Sequence, residues 1–136
     1  MLDVCMEIVS DTSVIVAVIA GEPDRARLIG LTQDADLLAP QSLHWELGNA
    51  LAAQIRRGRL TLDQAERFLE VYEQIPIRFV EVSVGAALEI AEACGIYAYD
   101  AYMIACAQKY HRPLLTLDKG LVRAAKEAGV EVMEVS

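Results

Sequence analysis

Residues 7–20, Glu7-Ile8-Val9-Ser10-Asp11-Thr12-Ser13-Val14-Ile15-Val16-Ala17-Val18-Ile19-Ala20, are the stretch on which the fold turns. The first four residues carry two β-branched side chains and neither Gly nor Pro, and read as a short buried strand. An acid and two hydroxyl residues follow. Then comes the apolar run 14–20, closed by Gly21 and Pro23. That run is too short for a bilayer, which needs about 20 residues. The pattern is therefore strand, acid, helix.

The same alternation continues outward. Residues 36–39, 77–82, 113–117 and 131–134 read as further strands, being short and rich in Ile, Val and Leu. Helices are expected over 12–20, 24–32, 42–57, 62–74, 84–93, 100–110 and 119–128. Their ends are marked. Arg56 and Arg57 lead into Gly58, and Gly129 follows the last helix. Thr61, with Asp63 and Gln64 behind it, suits an N-cap. Strands that alternate with helices predict a parallel sheet covered on both faces, hence a three-layer α/β/α domain. Five strands in one domain over residues 1–136 are expected, with residues 1–5 as a frayed end or a misassigned start before Met6.

Composition narrows the function. The 136 residues are 54% hydrophobic and 24% charged, enough to build a core and too apolar for bulk disorder. Twelve Lys and Arg against 20 Asp and Glu leave a net charge of −8. Such a chain does not bind nucleic acid through a basic face alone, although an enzyme that recruits cations stays open. Cys5, Cys94 and Cys106 are odd in number and lack CxxC spacing, so reduced thiols are expected and not a disulfide framework or structural zinc. The N-terminus has Asp3 and Glu7 but no Lys or Arg, unlike a secretory signal. A cytoplasmic protein without a membrane anchor is expected.

Open α/β sheets form their sites at the carboxyl ends of strands, where strand order reverses. Asp11 follows the first strand, and Asp118 follows the fourth within Thr116-Leu117-Asp118. Asp100 opens the helix before that strand, and Glu46 lies early in the helix after the second. Each Asp also suits an N-cap. Glu46 is harder to explain as structure. At about 100° per residue it stands roughly 40° from Ala50, on the border of the apolar arc. Asn49 lies one turn on and reaches the same place. Two carboxylates at about 4 Å repel by about 4 kcal/mol at an effective dielectric near 20. Four in one place need protons or a divalent cation. Oxygen ligands without His or Cys select Mg²⁺ or Mn²⁺, which suits phosphodiester hydrolysis.

These residues also carry a family pattern. Asp11-Thr12-Ser13 with Gly21-Glu22-Pro23, Trp45-Glu46 with Asn49-Ala50-Leu51, Arg57-Gly58-Arg59-Leu60-Thr61, Tyr99-Asp100-Ala101 and Leu115-Thr116-Leu117-Asp118-Lys119 stand in the family's order. From about Glu7 to Val135 the chain resembles PIN-domain ribonucleases, and among them the VapC-type toxins of toxin–antitoxin pairs. The resemblance implies sheet order 3-2-1-4-5 and a catalytic metal site of Asp11, Glu46, Asp100 and Asp118. Thr12, Ser13 and Thr116 would be its hydroxyl neighbours. It further implies a Mg²⁺- or Mn²⁺-dependent endoribonuclease that forms homodimers and is inhibited by a small antitoxin whose tail occupies a groove. Gly120 stands where some members carry a fifth acid, so one metal or two stays open.

Candidate RNA contacts are Arg56, Arg57 and Arg59 at one helix end, and Lys119 and Arg123 beside the last Asp. His44 and His111 read as surface residues, and neither is placed as a general base. Trp45 and Tyr72 are candidates for an exposed partner groove. Two alternatives are a non-catalytic Mg²⁺-binding regulatory domain and a metal-dependent DNA nuclease or phosphatase. The first would want a strand-end Lys and a phospho-acceptor Asp, a pattern this chain lacks.

Overall fold

Ile8 and Val9 are adjacent, and both are fully buried. Successive strand residues point to opposite faces. Ile8 joins a cluster with Val14, Ala17, Leu28 and Leu115, whereas Val9 joins a larger one with Leu38, Leu43, Ile104 and Leu114. Leu114 and Leu115 divide in the same way. The sheet is thus apolar on both faces and covered on both, as the reading of residues 7–20 requires.

The computed structural model describes residues 6–135. Residues 1–5, with Cys5 and the disputed start, lie outside them. In chain order the elements are β1 (Met6–Ser10), α1 (Thr12–Ala20), α2 (Arg25–Thr32), β2 (Ala35–Pro40), α3 (Ser42–Arg56), α4 (Leu62–Gln74), β3 (Ile77–Val80), α5 (Val84–Cys94), α6 (Ala98–Tyr110), β4 (Leu114–Leu115) and α7 (Lys119–Glu127). The sheet is parallel, in the order β3-β2-β1-β4. Val9 pairs with Leu38 on one side and Leu114 on the other.

Among the described residues four strands form, not five. Residues 131–134 make one parallel bridge, Leu114 to Val132, in the place the fifth strand was expected. The Leu114 N–H donates to the Glu131 carbonyl and the Met133 N–H to the Leu114 carbonyl, each at 2.9 Å. The cause lies in β4. Beyond Leu115 the Thr116 hydroxyl accepts the Asp118 N–H at 3.0 Å, which turns the chain out of the sheet. A two-residue strand offers no longer ladder to a neighbour.

Local signals set the helix ends. Thr61 and Gln64 form a reciprocal capping box on α4. Gly21 ends α1 with φ 71°, a left-handed conformation that costs glycine nothing. Asp11 caps α1 and Asp118 caps α7. Asp100 does not cap. The helix starts earlier, with Tyr97 at the cap position and Asp100 in the first turn. All four strands end at the edge where α1, α3, α5 and α7 begin, so one rim of the sheet collects the residues that follow each strand. No helix of the described residues is long and apolar enough to cross a membrane.

Candidate active site

Asp11 sits where β1 becomes α1 and is 4% exposed. Its Oδ1 accepts the Ser13 hydroxyl at 2.6 Å and the Val14 N–H at 3.3 Å. Its Oδ2 accepts the Thr116 hydroxyl at 2.6 Å. Ser13 in turn accepts the Leu117 N–H at 2.9 Å. Two hydroxyls therefore fasten the loop after β4 onto the carboxylate after β1, as the pairing of those strands allows. Asp118, on that loop, takes the Gly120 and Leu121 N–H groups on Oδ1 at 2.8 and 3.2 Å. Its Oδ2 stands outside both cap bonds. The Gly120 position is tight, since a Cβ there would lie 3.2 Å from Asp118 Oδ1.

Glu46 is half-buried on α3. Its Oε2 is buried with no hydrogen-bond partner, and so is the Thr12 hydroxyl. Leaving such an atom bare costs about 1–3 kcal/mol, more when it is charged. Asp100 is half-buried in the first turn of α6.

The acids share one field. Burial pushes Asp11 up to about 6; bonds from Ser13, Thr116 and Val14 pull it down, and the Asp118 charge adds to the rise. Burial pushes Glu46 up to about 7, opposed by the neighbouring Thr12 hydroxyl and reinforced by Asp11, Asp100 and Asp118. Asp100 is also raised, by burial and then by Asp118. Carboxylates that resist ionisation beside one another suit a proton or a cation. Among the described residues, no three His, Cys, Asp or Glu side chains stand close enough to hold a metal as placed. The donor chemistry nevertheless suits a hard divalent ion: oxygen atoms only, one of them buried and unpartnered.

The remaining candidates spread out. Asn49 is exposed one turn beyond Glu46. Lys119, exposed, adjoins Asp118, with Arg123 one turn further along α7. Arg56, Arg57 and Arg59 are exposed at the far end of α3, about 15 Å along its axis from Glu46 at about 1.5 Å per residue.

Two expectations need correction. His44 is half-buried and not a free surface residue: its ring lies 4.1 Å from that of Phe79, and its Nδ1 is 2.9 Å from the Tyr72 hydroxyl. Tyr72 is buried, so it does not line an open groove. The spacing of His44, Leu47 and Leu51 on one helix face was the available signal. Trp45 is 66% exposed, as expected of a groove residue. Cys94 and Cys106 are free thiols.

With this geometry the known proteins can be compared. The chain is similar to PAE2754 from Pyrobaculum aerophilum, with 25% identity, a TM-score of 0.72, and 97% of this chain and 92% of that one covered. FitAcB from Neisseria gonorrhoeae follows at 23% identity and TM-score 0.66, covering 94% of this chain and 97% of that one. VapBC2 from Rickettsia felis, solved bound to a DNA fragment from their promoter, shares 14% identity at TM-score 0.69, with 94% and 98% covered. These last two likenesses bear on fold alone. No curated protein matches the sequence. The family model of the PIN domain matches residues 8–127, and the chain belongs to the PIN-domain family.

Proposed function

We propose that this chain is a Mg²⁺- or Mn²⁺-dependent endoribonuclease and the toxin member of a toxin–antitoxin pair. The observation that carries the reading is the buried, unpartnered Oε2 of Glu46, lying in the field of three further acids at the switch point of a PIN-domain sheet. Asp11, Asp100 and Asp118 would hold the cation, with Glu46 as a further ligand, directly or through water. When bound, the ion supplies a Lewis acid for the phosphate and acidifies water near neutral pH.

The chain's own residues supply the rest. Ser13 and Thr116 hold Asp11 by both oxygens and fix its direction. Thr116 also places Asp118 through the backbone. Lys119 is the nearest candidate for the substrate phosphate, with Arg123 behind it. Arg56, Arg57 and Arg59 would meet a longer RNA at the other end of α3. Thr12 and Asn49 complete the polar surroundings of Glu46. The VapC-type resemblance of the sequence adds a small antitoxin partner, a homodimer and a cytoplasmic setting to this proposal, and the likeness in fold to VapBC2 of Rickettsia felis agrees with that resemblance.

The test is cleavage of a panel of transfer, ribosomal and messenger RNAs, with a DNA panel beside it, in Mg²⁺, Mn²⁺ and EDTA. The expected result is metal-dependent cutting of RNA by wild type, lost in Asp11→Asn. A folded, metal-binding protein that cuts only DNA or phosphomonoesters, or nothing, would overturn it.

A further inference from the structure

Hydrogen bonds inside the fold fix Asp11 and Asp118, but none reaches the buried oxygen of Glu46. Among the described residues, three buried side-chain polar atoms lack a hydrogen-bond partner: Thr12 Oγ1, Ser42 Oγ and Glu46 Oε2. Such atoms are uncommon in folded chains, because each is costly to leave unpaired. These three are not scattered. Ser42 and Glu46 are four residues apart on α3, so one stands over the other along the same edge of the helix. Thr12 opens α1, directly after Asp11, and α1 packs against α3. Thr12 is 5% exposed, and its hydroxyl neighbours the Glu46 carboxylate.

We infer that Thr12 and Ser42 are positioning residues for Glu46: their hydroxyls donate to its buried Oε2, directly or through one shared water, and leave Oε1 to serve the cation. The proposal rests on the nuclease reading and deepens it, since it gives Ser42 a part in the site and Thr12 a defined task. The donors and acceptors match. A carboxylate oxygen only accepts, and a hydroxyl can donate. Two hydroxyls without an acceptor and one carboxylate oxygen without a donor therefore complete one another. Direction agrees as well. At about 100° per residue along α3, Ser42 lies about 40° from Glu46 and about 60° from Trp45 on the other side. Its oxygen is buried, turned from the open surface beside Trp45. Helix capping does not occupy either hydroxyl. The cap positions of α1 and α3 belong to Asp11 and Gln41, and neither hydroxyl bonds a backbone group. The fold already uses this device once, where Ser13 and Thr116 meet on Asp11. Neighbouring residues of α1 thus divide their hydroxyls, Ser13 to Asp11 and Thr12 to Glu46. Groups that brace a metal ligand in this way typically change metal affinity by about 10- to 100-fold when removed.

Urea unfolding in EDTA at pH 8 tests the contact without any metal. Ser42→Ala and Thr12→Val each remove one hydroxyl and little else. In the wild-type background each should lower the folding equilibrium constant about tenfold, the scale of losing a hydrogen bond to a charged group. In a Glu46→Leu background neither should lower it, because the hydroxyl then has no acceptor to lose. Comparing the two backgrounds cancels the change in helix propensity that Ser42→Ala brings to both. Mn²⁺ affinity, read by calorimetry, should fall about tenfold or more in Ser42→Ala and in Thr12→Val. Thr12→Ser, which keeps the hydroxyl, should retain most of it. In RNA cleavage the same two losses should lower kcat and leave KM in place, since neither hydroxyl meets the substrate.

Equal losses in both backgrounds assign the two hydroxyls to plain packing and overturn the inference, with the nuclease reading left standing. Stability and Mn²⁺ affinity unchanged in Ser42→Ala overturn it too, since Ser42 then has no part in holding Glu46. A Thr12→Ser protein as weak for Mn²⁺ as Thr12→Val also overturns it, because the methyl group and not the hydroxyl then matters. A wild type that neither binds Mn²⁺ nor cuts RNA refutes the nuclease reading, and with it the task of the pair, even where the coupling in EDTA is found.

Discussion

Replacing Asp11 by Asn should make the protein more stable at neutral pH, although it removes a candidate catalytic group. Burial lifts the folded-state pKa of Asp11 from the ordinary 3.8 to about 6. The unfolded chain loses this proton near 3.8, whereas the folded chain keeps it until about 6. Wild-type stability therefore falls as pH rises through that window and stays low above it. The loss is about 3 kcal/mol at about 1.36 kcal/mol per pH unit. Asn carries no such penalty and still caps α1 through its oxygen. It has one acceptor where the carboxylate has two, so the Thr116 hydroxyl must turn from Asp11 Oδ2 toward Ser13, 3.4 Å away. That costs about 1 kcal/mol. In EDTA at pH 8 the variant should be more stable than wild type by about 2 kcal/mol, and at about pH 3 less stable by about 1 kcal/mol. Asp11 also raises Glu46, so the difference should keep growing toward pH 7. Urea midpoints at fixed ionic strength read this as a crossover, with a shift of about 1 M at pH 8. A difference independent of pH, or a variant weakest at high pH, would refute the account of Asp11 as a buried, reluctantly ionised carboxylate.

Cation binding should release protons, because Asp11 and Glu46 titrate near 6 and 7 and must ionise to serve as ligands. Mn²⁺ affinity should fall steeply below pH 7, and calorimetry in buffers of different ionisation enthalpy should count the protons; an affinity flat from pH 5 to 8 would contradict this. Thr61→Ala removes one half of the α4 capping box and should cost about 1 kcal/mol in urea unfolding, with RNA cleavage unchanged.

The layered fold was legible because Ile8, Val9, Leu114 and Leu115 lie in short apolar runs that only a doubly covered strand explains. The order of the strands came with the family resemblance, and it holds for the four that form. The fifth did not form, because pairing needs a partner of matching length. Nothing in residues 131–134 reveals that Thr116 cuts β4 short. The places of Asp11 and Asp118 after strands were readable, and both side chains are helix caps, the structural role their residue type allowed. That both oxygens of Asp11 are held by Ser13 and Thr116 was not readable. It depends on two residues 103 positions apart meeting across the sheet. His44 escaped because its partners, Tyr72 and Phe79, come from other elements. Trp45 was readable as an exposed groove residue, whereas Tyr102 and Val82, which line that groove with it, come from α6 and from the segment after β3, far away in sequence.

The pairing of β1 with β4 has a further consequence, in the order of events during folding. Ser10 aligns with Leu115, and Ser13 with Thr116 closes a loop of about a hundred residues. Contacts of such separation form late, since the chain between them must already be ordered. The four acids come from positions 11, 46, 100 and 118, so no piece of the chain shorter than 108 residues holds the whole set. A growing chain would carry an incomplete set of acids until Asp118 had been made. Under the nuclease reading, a destructive activity would be assembled only once the segment bearing Asp118 had joined the sheet, in the folded form that a partner protein could recognise and restrain.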